Sequence, residues 1–381
     1  MANLFGGDLS AYATDIRKLR GYFHEMGPIR PPSEGGSFSL LLRVTRNCPW
    51  NKCAFCWGKS FGHSRFELRP VEEVKSDIDT VKAISDALTA ISWKAGFAGD
   101  IESVAGLIES VIYNRSLSGN QDNFQSLVNV FNWMYAGAKT AFLQDADTPV
   151  MHTDRLVEIL KYLKGIFPGL QRITSNTRSK TIARKKPEEL NQLHEAGLTR
   201  LHIGLETGDD ELLTYVAKGV TAAEHILAGQ KAIAAGIEVS EYIMPGLGGK
   251  AMWKQHAENT ARVLNAINPN FIRSRSFVPR PGTPMFEAYS KGEIELTSPH
   301  ERLREIKLMV ENMELDSRLC FDHDNNPRYR SPAGMVPLFK LDYGGYKFPE
   351  EKPLVLELLN KGLGIDEKLF IHAKNLIHLV E

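Results

Sequence analysis

The sequence predicts an α/β fold built on a parallel sheet. Six predicted strands alternate with helices, as in folds whose parallel strands are joined by right-handed helical crossovers. The helix predicted over 187–196 illustrates the pattern, because Pro187 begins it and Gly197 follows its end. Such a sheet is either open or curled into a partial barrel. In both cases ligands bind at the carboxyl ends of the strands.

The predicted elements follow the chain in a regular order. We expect residues 1–36 to be an N-terminal extension, because they mix a short amphipathic stretch with prolines and glycines. The predicted strands, recognised by runs of apolar and β-branched residues, span 37–45, 139–143, 170–175, 199–205, 237–243 and 270–277. The predicted helices span 71–83, 152–166, 187–196, 209–217, 222–235 and 252–267.

Two segments do not fit the alternation. Residues 84–137 carry apolar residues at helical spacing, which predicts a helical insertion between the first helix and the second strand. Residues 291–381 form a predicted C-terminal extension, so the core is expected to span 37–290. Within the extension we expect helices at 299–315, 351–362 and 365–379, with an irregular segment rich in proline, glycine and tyrosine at 327–349.

Composition narrows the class of protein. The 381 residues are 43% hydrophobic and 24% charged, which is ordinary for a globular chain. Lys plus Arg (46) equals Asp plus Glu (46), so no overall positive field points to a nucleic-acid partner. The sequence has no run of about 18 apolar residues and no signal-peptide core. We therefore expect a cytoplasmic protein without a membrane segment or a nucleic-acid partner.

The cysteines carry the strongest chemical signal. Cys48, Cys53 and Cys56 are three of the four cysteines in the chain, and they directly follow the first predicted strand. Thiolates are the usual protein ligands of iron–sulfur clusters. Three thiolates in one loop can hold three irons of a [4Fe–4S] cube, which leaves the fourth iron open to another ligand. Zinc with His63 as a fourth ligand, or a structural role, is the alternative.

With Phe55 between the last two cysteines, this loop resembles the cluster motif of the radical S-adenosylmethionine (SAM) superfamily. The first gap holds one residue more than the commonest family spacing. Five later motifs follow in the family's order, so the resemblance covers about 37–290. It is nearest to the oxygen-independent coproporphyrinogen III oxidase-like and Elp3-type members. It implies a partial (β/α)6 TIM-like barrel and places Phe55 beside the adenine of SAM.

The second motif lies after the second predicted strand, at 142–149. Its ending resembles a Gly-Gly-Thr-Pro turn of the family that meets the amino group of SAM, with acids in place of glycines. The resemblance implies that Gln144, Asp145 and Asp147 lie at this cofactor contact, where a carboxylate suits an ammonium group. Backbone carbonyls could serve instead, which would leave the acids as turn formers.

The third and fourth motifs end the next two strands. Arg178 could bind the SAM carboxylate through two hydrogen bonds, and Ser175 could reach the ribose or the carboxylate. A solvated loop is the alternative for both. Glu206 lies in Gly204-Leu205-Glu206-Thr207, which resembles a family motif whose acid contacts the ribose or amino group of SAM.

The fifth motif, 242–249, contains Met244 and Gly246, and its glycines could let the backbone approach adenine closely. A simple tight turn is the alternative. The sixth motif, 278–286, resembles a Pro-Gly-Thr-Pro segment of the same subgroup. We expect a structural role for it, with backbone contacts toward the substrate cavity.

Three further residues are candidates for binding the substrate. Arg273 and Arg275 have the period of a strand, so both should point to one face and could bind an anionic substrate. Surface or salt-bridge roles are equally open. His323 lies in the polar run 322–326, which could cap the cavity, bind a metal or form a simple polar loop.

The resemblance implies an enzyme that uses a [4Fe–4S] cluster and SAM. By this reading, SAM is cleaved reductively to a 5′-deoxyadenosyl radical, which abstracts hydrogen from an unidentified small-molecule substrate. A reductant such as ferredoxin or flavodoxin would supply the electron. The alternatives are a carrier of SAM, cluster or haem that lacks turnover, and a porphyrinogen-type oxidative decarboxylase.

Overall fold

The computed structural model describes residues 10–19, 21–29, 38–56, 65–112 and 121–377. The chain divides into two compact units. The first comprises residues 1–46, 68–175 and 195–198, and the second comprises residues 47–67, 176–194 and 199–381. This division differs from the domain boundaries expected from the sequence, which stay a prediction. His63, the fourth ligand of the zinc alternative, lies outside the described residues.

The first unit surrounds parallel strands with helices. Its elements in chain order, with β3 at its boundary, are α1 (Ser10–Leu19), β1 (Leu40–Arg43), β2 (Thr45–Arg46), β3 (Glu67–Leu68), α2 (Val71–Lys94), α3 (Ala105–Ile112), α4 (Gln121–Tyr135), β4 (Thr140–Gln144), α5 (Thr153–Ile166) and β5 (Arg172–Thr177). β1 pairs parallel with β4, and β4 pairs parallel with β5. The apolar residues of β1 and β4 are buried, as is typical of parallel strands covered on both faces.

Helix α2 is longer than predicted. It runs from Val71 to Lys94, so the first part of the predicted insertion continues this helix. The reason is that no Gly or Pro interrupts 71–94, and buried apolar residues keep the helical period throughout. These residues are Val74, Ile78, Val81, Ile84, Leu88 and Ile91.

The described residues of the remaining insertion form α3 and α4, as expected for a helical segment, and α4 packs beside β1. Asn129 on α4 accepts a hydrogen bond from the Leu41 N–H (3.0 Å) and donates one to the Ser39 carbonyl (2.9 Å). These bonds satisfy backbone groups on the side of β1 away from β4, where an unprotected strand edge would be exposed.

The second unit begins with helices and continues the strand–helix alternation. Its elements in chain order are α6 (Ser179–Arg184), α7 (Pro187–Glu195), β6 (Arg200–Glu206), α8 (Asp210–Tyr215), α9 (Ala222–Ala234), β7 (Glu238–Ile243), α10 (Gly249–Ile267), β8 (Phe271–Ser274), α11 (Pro284–Ser290), α12 (Pro299–Glu311), β9 (Arg318–Cys320), β10 (Arg328–Ser331), β11 (Gly334–Pro337), β12 (Tyr346–Lys347) and α13 (Lys352–Gly364).

The strands of this unit form a mainly parallel sheet. β6, β7, β8 and β9 pair in that order, all parallel, and β12 closes the edge antiparallel to β9. The pairing of β6 with β7 shifts register between Gly204 and Glu206. The predicted α/β fold of parallel strands is therefore confirmed in both units.

The C-terminal extension differs most from its prediction. It supplies β9 and β12, and it forms a hairpin from β10 and β11 within the segment expected to be irregular. The helix predicted at 365–379 is wrong for the described residues, which form short 3₁₀ turns at Glu367–Leu369 and Ala373–Leu376. None of the helices in the described part of the chain is long and apolar enough to span a membrane.

Candidate active site in the second unit

The cysteine loop is anchored by its backbone to two later segments of the second unit. The Ala54 N–H donates to the Val216 carbonyl (2.8 Å), and the Met285 N–H donates to the Ala54 carbonyl (3.1 Å). Ala54 lies between Cys53 and Cys56, so both bonds fix the part of the loop that carries these thiols. The bond from Met285 gives the sixth sequence motif the structural role that we expected.

Trp50 adds a third anchor. Its indole N–H donates to the Ala217 carbonyl (2.8 Å), and its ring lies against Gly219. Gly219 has φ +70°, and a Cβ there would overlap the Trp50 ring. Glycine is therefore required at this position both by the backbone conformation and by the close approach of the indole.

The chemistry of the three thiols fits an iron–sulfur cluster. Cys48, Cys53 and Cys56 are all free thiols on this one anchored loop. Burial raises the pKa of Cys53 to about 11, an effect that Lys218 opposes. Across residues 38–56, 65–112 and 121–377, no three Cys, His, Asp or Glu side chains converge as metal ligands. The fit therefore rests on the donor type, since thiolates are the usual ligands of such clusters.

A buried ion pair lies next to this loop. The Lys218 Nζ donates to the Glu206 Oε1 (2.9 Å) and lies 5.6 Å from the centroid of the Phe55 ring. Burial alone would lower the pKa of Lys218, but Glu206 and the Cys53 thiolate raise it above its ordinary value. The lysine is therefore charged at neutral pH, and it brings a cation to the cysteine loop.

Arg178 is held over the same loop. Its guanidinium lies 5.0 Å from the centroid of the Trp50 ring, and its Nη2 donates to the Lys218 carbonyl (2.9 Å). The second unit thus brings Phe55, Arg178 and Glu206 together around Lys218. Their contacts with SAM stay predictions.

Sequence reasoning missed two of the charged residues in this region, Lys218 and Glu241. Lys218 lies just after α8, where a single lysine gives no signal, although the following Gly219 is a cue to a close approach. Glu241 lies on β7 and is fully buried, and burial raises the pKa of its carboxyl well above the ordinary range. Lys218 lowers that pKa and Glu206 raises it, so Glu241 belongs electrostatically to the same cluster.

The fifth motif follows β7. Met244 donates its N–H to the Glu206 carbonyl (3.0 Å), and its side chain packs with Phe55 in an apolar cluster. Gly246 has φ +88°, and a Cβ there would collide with the guanidinium of Arg302. The glycine therefore has a local structural requirement, and the predicted approach of its backbone to adenine stays a prediction.

Arg273 and Arg275 differ in exposure, and the expectation that they share a face stays a prediction. β8 ends at Ser274, so Arg275 lies just past the strand. Arg273 is 1% exposed, donates to Ser240 (3.1 Å) and forms a salt bridge with Asp322. Arg275 is exposed, and its Nη2 lies 3.1 Å from His323 Nε2.

Four predicted residues lie in the first unit. Gln144 bonds through its side chain to the backbone of Gly27 (2.8 and 2.9 Å) and Ile29. Asp145 forms a salt bridge with Arg43 (2.8 Å).

The other two of these residues, Asp147 and Ser175, are fully buried. Asp147 immediately precedes the 3₁₀ turn Thr148–Val150, and Ser175 pairs in register with Leu143 of β4. The roles of all four residues toward SAM stay predictions.

The chain was compared with known proteins. Residues 125–259 match the family described as "Radical SAM superfamily", a range that begins after the cysteine loop. A tRNA uridine(34) acetyltransferase of Methanocaldococcus jannaschii is 30% identical over 28% of this chain and 20% of its own length. The heme chaperone HemW of Bacillus subtilis is 24% identical over 41% of this chain and 40% of its own. The chain thus spans well under half the length of these relatives.

Among solved structures, an archaeal Elp3 from Methanocaldococcus infernus has a TM-score of 0.42 and 17% identity. The alignment covers 58% of this chain and 54% of that one. The expected resemblance is confirmed by the family match. It carries with it the two cofactors of the family, a [4Fe–4S] cluster and SAM, and SAM-dependent radical chemistry in general. Over residues 125–259 the chain is therefore similar to the enzymes of the radical SAM superfamily.

Proposed function

We propose that this enzyme holds a [4Fe–4S] cluster through Cys48, Cys53 and Cys56 and binds SAM beside it. The observation that carries the proposal is the anchored cysteine loop with a charged, buried lysine next to it. When bound, the reduced cluster supplies the electron that cleaves SAM to a 5′-deoxyadenosyl radical, which takes hydrogen from an unidentified small molecule. A reductant such as ferredoxin or flavodoxin supplies that electron.

The charged side chains next to the cysteine loop bind different groups of SAM. SAM carries an ammonium group and a carboxylate on its methionine part. The Glu206 carboxylate accepts hydrogen bonds from the ammonium, while Lys218 and Arg178 attract the carboxylate. Lys218 already bonds Glu206 at 2.9 Å, so the pair is held in place before the ligand arrives.

Apolar residues exclude water from this region. Phe55 and Met244 pack against buried Leu247, Phe277 and Met285. Exclusion of water strengthens the electrostatic contacts made by nearby charges and protects a reactive intermediate. The same packing holds the Phe55 ring for contact with adenine.

The test is cleavage of SAM by protein reconstituted anaerobically with iron and sulfide. Incubation with SAM and dithionite should release 5′-deoxyadenosine, which is measured by chromatography and mass spectrometry. Reactions without dithionite, and reactions with Cys53→Ala, are the controls. Added metabolites that accelerate product formation identify the substrate. A reconstituted protein that binds four irons but forms no 5′-deoxyadenosine under any of these conditions contradicts the proposal.

A tRNA substrate is the second candidate, because the relative from Methanocaldococcus jannaschii is named as a tRNA-modifying enzyme. The zero net charge of this chain opposes it, since nonspecific RNA binding depends on positive charge. A gel-shift titration with bulk tRNA at low salt decides between a tRNA substrate and a small-molecule substrate. Binding that disappears with rising salt and stimulates SAM cleavage favours tRNA over a small molecule.

A further inference from the structure

A buried histidine of α10 contacts the segments on both sides of Glu206. We propose that His256 is a positioning residue for SAM binding, because it holds the Glu206 backbone in the conformation that places its carboxylate beside Lys218. The role toward SAM rests on the proposed function, whereas the hold on the Glu206 backbone rests on the contacts of His256 alone.

The backbone at Glu206 is strained. The Thr207 N–H donates to the Leu205 carbonyl (2.8 Å), two residues back, and Glu206 between them has φ 62°. A hydrogen bond of this kind across a residue with positive φ forms a γ-turn of the rare, strained type. The pairing of β6 with β7 shifts register at the same place, between Gly204 and Glu206. Because a strained residue persists only where its surroundings fix it, neighbouring contacts must hold Glu206 in this conformation.

His256 makes contacts on both sides of this turn. Its Nδ1 lies 2.7 Å from the Thr207 Oγ1, and its Nε2 lies 3.2 Å from the Met244 carbonyl oxygen. Thr207 directly follows Glu206 in the chain, and the Met244 N–H donates to the Glu206 carbonyl (3.0 Å). One imidazole ring therefore joins the residue after Glu206 to the residue after β7 that bonds Glu206.

The partners of the ring determine its tautomer. The Met244 carbonyl can only accept a hydrogen bond, so His256 Nε2 carries the hydrogen and donates it. Nδ1 then accepts from the Thr207 hydroxyl, whose oxygen accepts in turn from the Asp209 N–H (3.1 Å). Burial lowers the pKa of His256 to about 4. The ring is therefore neutral at pH 7 and has one N–H, as these hydrogen bonds require.

The ring is held in place from other directions as well. His256 and Glu305 of α12 are both fully buried, and His256 Nε2 lies 3.4 Å from the Glu305 Oε1. Thr260, one helical turn further along α10, has its Oγ1 3.2 Å from Nδ1 and accepts the Gly208 N–H (3.0 Å). Hydrogen bonds in such a buried environment are stronger than in water. His256 is thus a fixed point to which the turn at Glu206 is attached.

The same region of α10 holds the residues that follow the turn. The Asn259 Nδ2 donates to the Asp209 Oδ2 (2.6 Å), and a Cβ at Gly208 would overlap the backbone of α10 at Asn259 and Thr260. These contacts fasten residues 208 and 209 to the helix. His256 contacts Met244 in addition, so its loss should release Glu206 on both sides.

The first test measures SAM affinity in a double-mutant cycle. His256→Ala should weaken SAM binding to anaerobically reconstituted protein by about tenfold in calorimetry, as for one lost hydrogen bond. The double variant Glu206→Gln/His256→Ala should bind SAM as Glu206→Gln does, within about twofold, because His256 acts only through Glu206. His24→Ala, which removes a fully buried histidine of the first unit, is the control and should bind SAM like the wild type. Losses that multiply in the double variant overturn the proposal.

Two further variants separate hydrogen bonding from packing. The amide of His256→Gln can donate to the Met244 carbonyl, so this variant should bind SAM more tightly than His256→Ala does. Thr207→Val removes the hydroxyl that donates to Nδ1 and should also weaken SAM binding. It decides alone if circular dichroism shows that His256→Ala does not fold. Equal affinity of the glutamine and alanine variants, or wild-type affinity in Thr207→Val, overturns the proposal.

A measurement without SAM keeps the hold on Glu206 distinct from the proposed function. Hydrogen–deuterium exchange, read by mass spectrometry, should increase in peptides covering residues 205–209 and 243–247 in His256→Ala and stay unchanged in His24→Ala. Unchanged exchange in His256→Ala overturns the positioning role. If the exchange increases as expected while the wild-type protein binds no SAM, the proposed function fails and the attachment of Glu206 to His256 stands.

Discussion

Two carboxylates at strand ends, one in each unit, have similar local geometry and different surroundings. Asp145 follows β4 with φ 127° and pairs with Arg43 at 2.8 Å. Glu206 ends β6 with φ 62° and pairs with Lys218 at 2.9 Å. Positive φ is unusual for residues other than glycine, so each carboxylate is held in an uncommon backbone conformation beside a cation.

The pair in the first unit belongs to a network in which cations and anions alternate. Arg43 also bonds Glu25 (3.1 Å), which in turn pairs with Arg46 and with Arg69 (3.3 Å). Arg69 continues to Asp77 at 2.7 Å. Glu73 also lies 3.6 Å from both Arg46 and Arg69, so three arginines face four carboxylates. Such a network ties the segment around Glu25 to the strand ends and has little charge left for a ligand.

Among the described residues of the second unit, the Glu206–Lys218 pair belongs to no such network. Lys218 is buried against Phe55, and Glu206 is the carboxylate that bonds it. Burial raises the pKa of the nearby Glu241 well above its ordinary range, which favours its neutral form. A cation and an anion that are paired only with each other can exchange partners when a ligand brings both charges. The comparison therefore predicts a structural role for the first pair and a ligand-binding role for the second.

The largest expected effect concerns the cysteine loop. Reconstituted wild-type protein should hold about four irons and four sulfides. Cys48→Ala, Cys53→Ala or Cys56→Ala should each abolish the cluster, because each removes one of three ligands. Cys320→Ala is the control, since this thiol is buried elsewhere and bonds the Tyr343 carbonyl. Iron analysis and the visible absorbance measure the result.

Stoichiometric zinc without iron uptake would instead support the zinc alternative. Loss of iron in Cys320→Ala would show that the fourth cysteine takes part in binding. The zinc result would remove the chemical basis for treating the second unit as the site of radical chemistry.

The next largest effect distinguishes the role of the Glu206–Lys218 pair from that of the Asp145–Arg43 pair. Glu206→Gln should weaken SAM binding by about tenfold to a hundredfold, because a charge-assisted contact is lost. Asp145→Asn should leave SAM affinity near that of the wild type and lower the free energy of unfolding by about 2 kcal/mol. Anaerobic calorimetry with SAM and urea unfolding provide the two measurements.

The proposed difference between the two pairs is wrong if Asp145→Asn weakens SAM binding as much as Glu206→Gln does. That outcome would support the role toward the SAM amino group that the sequence motif gave to Asp145. Arg178→Ala, measured in the same titration, should also weaken SAM binding while sparing the cluster.

Long periodic elements were well predicted, and short or irregular ones were not. Strand β7 was expected at 237–243 and is Glu238–Ile243, because its β-branched and aromatic residues give a clear strand signal. Strand β9 has three residues, and no local pattern marks so short a segment. Its place in the sheet comes from pairing with β8, which is a nonlocal contact.

In the candidate site, too, residues with a local sequence signal were found and residues defined by nonlocal contacts were missed. Cysteine spacing and strand-end motifs led to Cys53, Phe55 and Glu206. Lys218 and Glu241 escaped notice because their importance comes from burial beside Glu206, which sequence spacing does not report. Arg273 forms a salt bridge with Asp322, one of the roles left open by the sequence, and this nonlocal contact could not be read from the spacing of the arginines.

The third effect tests the close approach between the cysteine loop and the segment after α8. Gly219→Ala should lower the free energy of unfolding by about 3 kcal/mol, because it combines a left-handed backbone with overlap of the Trp50 ring. Gly292→Ala is the matched control, since Gly292 has φ +74° with open space around it. The control therefore reports the backbone cost alone.

Iron content of the reconstituted variants gives the second measurement. Gly219→Ala should lower it, since displacement of Trp50 releases an anchor of the loop, whereas Gly292→Ala should not. Equal stability of the two variants would mean that the contact between Trp50 and Gly219 contributes nothing to the fold.

The smallest expected effect concerns a buried histidine in each of the two units. Burial lowers the pKa of His24 in the first unit and of His256 in the second to about 4. The unfolded state binds a proton below the ordinary value of 6.5, so each histidine costs stability as the pH falls from about 6.5 to 4.

His24→Leu removes one titrating group and should reduce the loss of stability between pH 7 and pH 5 by up to about 2 kcal/mol. Urea unfolding at both pH values measures the change, with His152→Leu, at an exposed position, as the control. SAM affinity should be unaffected, because His24 belongs to the unit whose charges are already paired. A variant as acid-sensitive as the wild type would show that His24 is protonated in the folded chain.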